Sequence, residues 1–81
     1  MEKEYISEKD LIDIFANNLR DIMNEVGISQ KQLAYEAETT EASISRYLNK
    51  RKLPDLKILI NICYILECEV SDLIPAYAMV Y

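Results

Sequence analysis

Residues that break regular backbone are scarce in this chain of 81 residues, and that scarcity limits the folds it can adopt. Glycine occurs once, at Gly27, and proline twice, at Pro54 and Pro75. Sandwiches and barrels of short strands need frequent turns rich in these residues. About half of the chain (51%) is hydrophobic, too much for a disordered segment. We therefore predict an all-α domain.

Apolar spacing and capping residues place four helices and a final helical turn. Apolar residues recur every three or four positions between Leu11 and Val26, which indicates a helix with one buried face. Ser7 is a suitable N-cap for this helix, and Gly27 is a suitable end. The predicted segments start at Ser7 and run to Gly27, then cover 30–37, 41–49, about 55–66 and 71–74. The expected core includes Phe15, Leu19, Ile22, Leu33, Ile44, Leu48, Leu59 and Cys63.

We expect one domain over residues 1–81, with its core at about 7–74 and an apolar tail at 75–81. The fourth helix is apolar on two sides. One predicted stripe faces the preceding helices: Leu56, Leu59, Ile60 and Cys63. The other stripe needs a cover, and either the tail folds back over it or a second subunit does, with the apolar residues of the tail favouring an interface shared by tail and stripe: Ile58, Ile62 and Ile65.

The residue inventory argues against catalysis. Histidine is absent, and the two cysteines, Cys63 and Cys68, lie in an apolar helical run as expected core positions. No glycine-rich loop, nucleophile motif or metal-ligand set is present, so we predict no enzyme activity, no metal and no cofactor. The charged N-terminal segment lacks the apolar core of a signal peptide, and no segment is long and apolar enough to cross a bilayer. We therefore predict a cytoplasmic protein without membrane contact.

The charge is unevenly distributed. The net charge is −5, which by itself argues against nucleic acid. Residues 29–53, however, carry five basic and three acidic side chains and form the only positive third of the chain. Local potential governs docking more than the global sum does.

Two short helices, 30–37 and 41–49, joined by three residues, have the spacing of a helix-turn-helix motif. At 100° per residue, Ile44 and Leu48 share the inner face of the second helix, with Tyr47 at its edge. Ala42, Arg46 and Asn49 then point outward. In such motifs the second helix enters the major groove of DNA.

The segment ISQKQLAYEAETTEASISRYLNKRKLP resembles the Cro/C1-type (Xre-like) helix-turn-helix family of phage and bacterial repressors. The resemblance covers roughly residues 11–74. It implies a five-helix, lambda-repressor-like domain that binds operator DNA, usually as a homodimer on a palindromic site.

The resemblance also implies roles for individual residues. Arg46 would pair with guanine, Glu41 would accept from cytosine, and the Ala42 methyl would touch thymine. Gln30 matches a phosphate anchor. The further positions that would meet phosphate or the groove edge are Thr40, Ser43, Asn49, Lys50 and Arg51. The tyrosines, Tyr35, Tyr47 and Tyr64 among them, are expected to pack rather than stack on bases.

The chain departs from the family pattern at three places. Glu38 stands where the turn usually has glycine, so we expect a strained or differently wound turn. Lys50 stands where glycine often ends the third helix. Met23 and Leu48 replace a buried arginine–glutamate pair, and we expect them to be in contact.

The leading interpretation is a sequence-specific transcriptional repressor. The alternatives are an antitoxin that neutralises a basic toxin and binds its own operator, and a protein-interaction module that has lost DNA binding. The acidic ends favour the first alternative, and the net charge of −5 favours the second.

Overall fold

The computed structural model describes residues 5–74, and all the regular elements in that range are α-helices. The helices are α1 (Glu8–Val26), α2 (Gln30–Glu36), α3 (Glu41–Leu48), α4 (Leu56–Leu66) and α5 (Val70–Leu73). The all-α prediction is confirmed. None of these helices has both the length and the apolarity needed to cross a bilayer.

The helix ends follow from local chemistry. At the starts of α1, α2, α3 and α4 a side-chain oxygen accepts a hydrogen bond from the backbone N–H three residues later, at 2.9–3.1 Å. These caps are Ser7, Ser29, Thr40 and Asp55. Gly27 ends α1 with a φ of 80°, the left-handed conformation that glycine adopts without a steric cost.

The core forms where α1, α2, α3, α4 and α5 converge. The fully buried large side chains are Phe15, Leu19, Leu33, Ile44, Ile62 and Leu73. Phe15 meets Tyr47 edge to face, with ring centroids 6.3 Å apart. The expected core residues are buried except Ile22, which is half-buried at the edge of the core. Met23 and Leu48 are both buried in this cluster, so an apolar pair occupies the family's charged positions.

Side-chain donors on the two long helices hold the ends of the three short ones. In each case a terminal backbone carbonyl, which has no partner within its own helix, accepts a hydrogen bond from a distant side chain. The pairs are Asn18 with the Leu73 carbonyl (2.8 Å), Arg20 with the Leu48 carbonyl (3.1 Å) and Asn61 with the Ala37 carbonyl (3.1 Å). These bonds fix the positions of α5, α3 and α2, respectively.

The predicted division of α4 into two stripes is correct for Leu59 and Cys63, which are buried, and wrong at three other positions. Ile62 is fully buried, whereas Leu56 and Ile60, expected to face inward, are exposed. Three helices, α1, α2 and α5, pack on α4. The apolar tail, 75–81, lies outside the described residues, so its expected role stays a prediction.

Between residues 5 and 74, three residues other than glycine adopt left-handed backbone conformations. They are Glu38 (φ 60°), Lys50 (φ 62°) and Glu67 (φ 54°). The first two are the positions where the family pattern has glycine. The turn at Glu38 therefore keeps the left-handed geometry and is strained, rather than differently wound.

Replacing Glu67 by glycine is expected to raise the free energy of unfolding by about 0.5–1 kcal/mol, because glycine removes the Cβ clash of the left-handed conformation. Glu67 is exposed and separates α4 from α5, so few contacts are lost. Urea unfolding followed by circular dichroism measures the change. The control is Glu36→Gly at the last residue of α2, where φ is not positive, so glycine relieves no clash and should not raise stability. Equal destabilisation by both would contradict strain at Glu67.

Candidate nucleic-acid interface

The helix α3 separates an apolar inner face from a polar outer face. Ile44, Tyr47 and Leu48 are buried against the rest of the domain. The side chains of the outer face are exposed: Glu41, Ala42, Arg46 and Asn49. The phasing of this helix from sequence is therefore confirmed, except that Tyr47 is buried rather than at the edge.

The start of α3 is fixed by a hydroxyl network. Thr40 Oγ1 accepts from the Ser43 N–H at 3.0 Å and donates to Ser43 Oγ at 3.0 Å. Tyr47 lies next to this first turn of α3. Burial and the Asp55 carboxylate raise the pKa of Tyr47, and the nearby Thr39 and Ser43 hydroxyls partly offset the rise. Thr40 and Ser43 thus hold the helix start in place before any ligand arrives.

The end of α3 carries a polar groove of about 470 Å³ lined by Ser45, Arg46, Asn49 and Arg51. The Asn49 amide donates to Ser45 Oγ at 3.1 Å, which orients the amide along the groove. Ser45 was not among the predicted site residues. Its spacing of four from Asn49 on the same face is the signal that could have identified it.

Lys50 lies beside this groove and is already paired. Its ammonium Nζ is 3.8 Å from Asp13 Oδ1 on α1, the single ion pair between residues 5 and 74. Both side chains are partly exposed, so the pair is weak and open to exchange with another anion. Asp13 is a second residue that the sequence analysis missed, because nothing local links α1 to the end of α3.

Gln30 occupies the first position of α2 and is half-buried. It lines a separate depression of about 230 Å³ that also includes Arg20, Met23 and Leu48. The structure therefore brings Arg46, Asn49 and Arg51 together in one groove, and it places Gln30 in another depression.

The remaining candidates divide between core and surface. Tyr35 and Tyr64 were expected to pack and instead are exposed, because their positions on α2 and α4 face away from the core. Cys63 is buried and Cys68 half-buried, as expected. Burial raises the pKa of the Cys68 thiol to about 11, which makes it a poor nucleophile near neutral pH.

Together, α2 and α3 form a helix-turn-helix. Its second helix, α3, exposes polar and basic side chains on one face and packs against the core with the other. Its chemistry suits a nucleic-acid surface. The arginine fork can pair with guanine O6 and N7, and the amide and basic groups can meet phosphate oxygens. This combination defines a helix-turn-helix DNA-binding domain.

The chain belongs to the family of the Cro/C1-type HTH DNA-binding domain, whose sequence profile matches residues 18–78. The expected family is therefore confirmed, and the chain carries a DNA-binding domain. A search of curated proteins found no match.

Several solved structures share the fold. The clp gene regulator ClgR from Corynebacterium glutamicum has a TM-score of 0.74 at 22% identity, over 78% of this chain and 67% of its own. The restriction-modification controller protein C.AhdI from Aeromonas hydrophila has a TM-score of 0.72 at 22% identity. The match covers 79% of this chain and 96% of the C.AhdI chain. The hypothetical transcription factor NHTF from Neisseria has a TM-score of 0.73 at 26% identity. The match covers 89% of this chain and 83% of the NHTF chain.

Proposed function

We propose that this protein is a transcriptional repressor that binds a specific DNA sequence with α3 in the major groove. The observation that supports this proposal best is the exposed outer face of α3, with Arg46 at the head of a polar groove. As a homodimer it would place two such helices about 34 Å apart, one turn of B-DNA, and would bind a palindromic operator. The proposed role is binding, without catalysis.

The proposed contacts divide by chemistry. Arg46 pairs with guanine, Glu41 accepts from cytosine N4, and the Ala42 methyl leaves room for or touches thymine. The residues proposed to contact the DNA backbone are Gln30, Thr40, Ser43, Asn49, Lys50 and Arg51. The ordered start of α3 also directs its free N–H groups toward a phosphate.

Selection of bound duplexes from a random library tests the proposal. We expect enrichment of a two-fold symmetric site with a guanine at a fixed position in each half. Failure to retain any duplex at 50 mM salt, or retention whose affinity does not change with salt, would contradict DNA binding and favour the protein-interaction alternative.

Replacing Lys50 or Arg51 by alanine is expected to weaken specific and random duplexes alike, because each loses a phosphate contact. The slope of log affinity against log salt should fall by about 0.9 per contact. Asp13→Asn should have the opposite effect and raise affinity for both duplexes roughly two- to fivefold, since it releases Lys50 from an exposed ion pair. Fluorescence anisotropy over a salt series measures all three.

The double variant Asp13→Asn with Lys50→Ala is the control. If Asp13 acts through Lys50, removing the carboxylate should gain little once the ammonium is gone. A gain that persists in the double variant would instead indicate general repulsion between Asp13 and the DNA.

A second candidate function is neutralisation of a basic toxin by the same domain. An open depression of about 480 Å³ lies where α1 meets the end of α4 and α5. Its carboxylates are Asp21, Glu25, Glu67 and Asp72, and apolar side chains form part of its lining. A toxin encoded beside this gene, whose binding is lost with Asp21→Lys and Glu25→Lys while operator binding remains, would support this role.

A further inference from the structure

The turn between α4 and α5 brings the two cysteines of the chain together. The Cys68 N–H donates to the Cys63 carbonyl at 3.0 Å, and the Glu67 N–H donates to the Tyr64 carbonyl at 3.3 Å. Glu67 has the left-handed conformation between these two bonds. This arrangement is a Schellman motif, which frequently brings into contact the two side chains that flank it, five positions apart. In this chain both of those side chains are thiols.

Two further observations place the thiols side by side. Both cysteines are free, and Cys68 packs against the core cluster that contains Cys63. Burial raises the pKa of both thiols, and each thiol also shifts the pKa of the other, which requires them to lie close together. We call this pair of side chains the dithiol.

The dithiol is open to solvent on one side. Cys63 is buried, whereas Cys68 is half-buried and helps to line the open depression of about 480 Å³ where α1 meets the end of α4 and α5. The charged side chains of the described residues that line this depression are all carboxylates: Asp21, Glu25, Glu67 and Asp72. Their negative potential raises the local concentration of cations and repels anions. The surroundings of the dithiol therefore favour a cation as its ligand.

The number of ligands selects the kind of cation. Structural zinc takes four ligands, and residues 5–74 hold no group of three or more side chains placed to bind a metal ion. The sequence analysis expected no metal because it lacked such a set. A monovalent thiophilic ion such as Cu(I) prefers soft thiolate ligands and is satisfied by two of them in a nearly linear arrangement. The dithiol supplies these two ligands.

We propose that Cys63 and Cys68 form a two-coordinate site for a monovalent thiophilic metal ion, entered from the open depression. As the ion binds, each thiol releases its proton to solvent, so that one cation enters and two protons leave. The ion links the last turns of α4 to the segment that leads into α5. The residues proposed to contact DNA take no part, so this inference is independent of the proposed function.

Competition for Cu(I) tests the site. The full chain is titrated, without oxygen, into the violet complex of Cu(I) with bicinchoninate, and loss of colour measures transfer of the ion to the protein. We expect one ion per chain, and binding weaker by about a hundredfold or more in Cys63→Ala and in Cys68→Ala, because each variant loses the second, intramolecular ligand. Cys63→Ala binding as tightly as wild type would mean that Cys68 acts alone and would overturn the proposal.

The matched control is Tyr64→Ala, which changes an exposed side chain on the last turns of α4 and keeps both thiols. It should leave the affinity for Cu(I) unchanged. Circular dichroism verifies that the three variants fold. A loss of affinity in Tyr64→Ala as large as in the cysteine variants would overturn the assignment to the dithiol.

Sedimentation and thermal unfolding distinguish a site within one chain from a bridge between two chains. We expect the ion to leave the molecular mass of the wild-type protein unchanged. It should raise the melting temperature of wild type and leave that of Cys68→Ala unchanged, because a ligand held by the native turn stabilises the folded state. A doubling of the mass that depends on the ion, or an equal rise in melting temperature in Cys68→Ala, would overturn the proposal.

Discussion

Replacing Arg46 by alanine is expected to lower affinity for the preferred operator by about 1–3 kcal/mol, roughly five- to 150-fold. Arg46 is exposed near the end of α3, on a helix whose other face is anchored in the core, so its guanidinium can reach a base edge without a rearrangement of the fold. The loss should be concentrated at one base position of each half-site, where the variant tolerates any base. Anisotropy titrations with operators substituted at each position measure this relaxation.

Arg51→Ala provides the matched control, because it removes the same functional group from the same groove just beyond the helix. It should weaken the operator and a random duplex equally and leave the base preferences intact. If Arg46→Ala also weakens both duplexes equally, Arg46 contacts only the phosphate backbone.

The other large effect is expected in the core, where Phe15→Ala should lower the free energy of unfolding by about 3–5 kcal/mol. Phe15 is fully buried on α1 and packs edge to face on Tyr47 of α3. The substitution leaves a cavity directly behind the helix that we propose to enter the major groove. Because small domains are stable by only about 5–15 kcal/mol, the variant should be close to unfolding at 37 °C. Chemical denaturation at 15 °C and at 37 °C measures the loss.

Tyr35→Ala is the control for this experiment, since Tyr35 is an aromatic residue of similar size that is 81% exposed on α2. It should change the unfolding free energy by less than about 0.5 kcal/mol. A small effect of Phe15→Ala would mean that the core closes over the lost ring.

The parts of the site that could be predicted from the sequence are those governed by local rules. Caps such as Ser29 and Thr40 bond to backbone groups three residues away, and a period of 3.6 residues sets which side of α3 is apolar. The outward position of Arg46 and Asn49 follows from these two rules alone. The resemblance pointed to Glu38 as a position that often needs a positive φ and left open whether the turn would be strained or differently wound, whereas the positive φ at Lys50 was not predicted.

Contacts between distant segments were missed. The Arg20 bond to the Leu48 carbonyl spans 28 residues, and the Asn18 bond to the Leu73 carbonyl spans 55. Polar side chains at these positions give no periodic signal, because a single hydrogen bond to a backbone carbonyl requires only one donor in the right place. The ion pair between Asp13 and Lys50 was missed for the same reason.

The amino-acid sequence by itself determined the helical class of this protein, the ends of its helices and the outward face of α3, because these depend on neighbours within about four residues. Only the tertiary structure decided which side of α4 faces water. Both sides of that helix are apolar, so periodicity could not choose between them. In the fold α1, α2 and α5 pack on α4, and Ile62 is buried while Leu56, Ile60 and Tyr64 are exposed. A helix with two apolar sides buries the one that its distant neighbours cover, and that depends on the path of the whole chain.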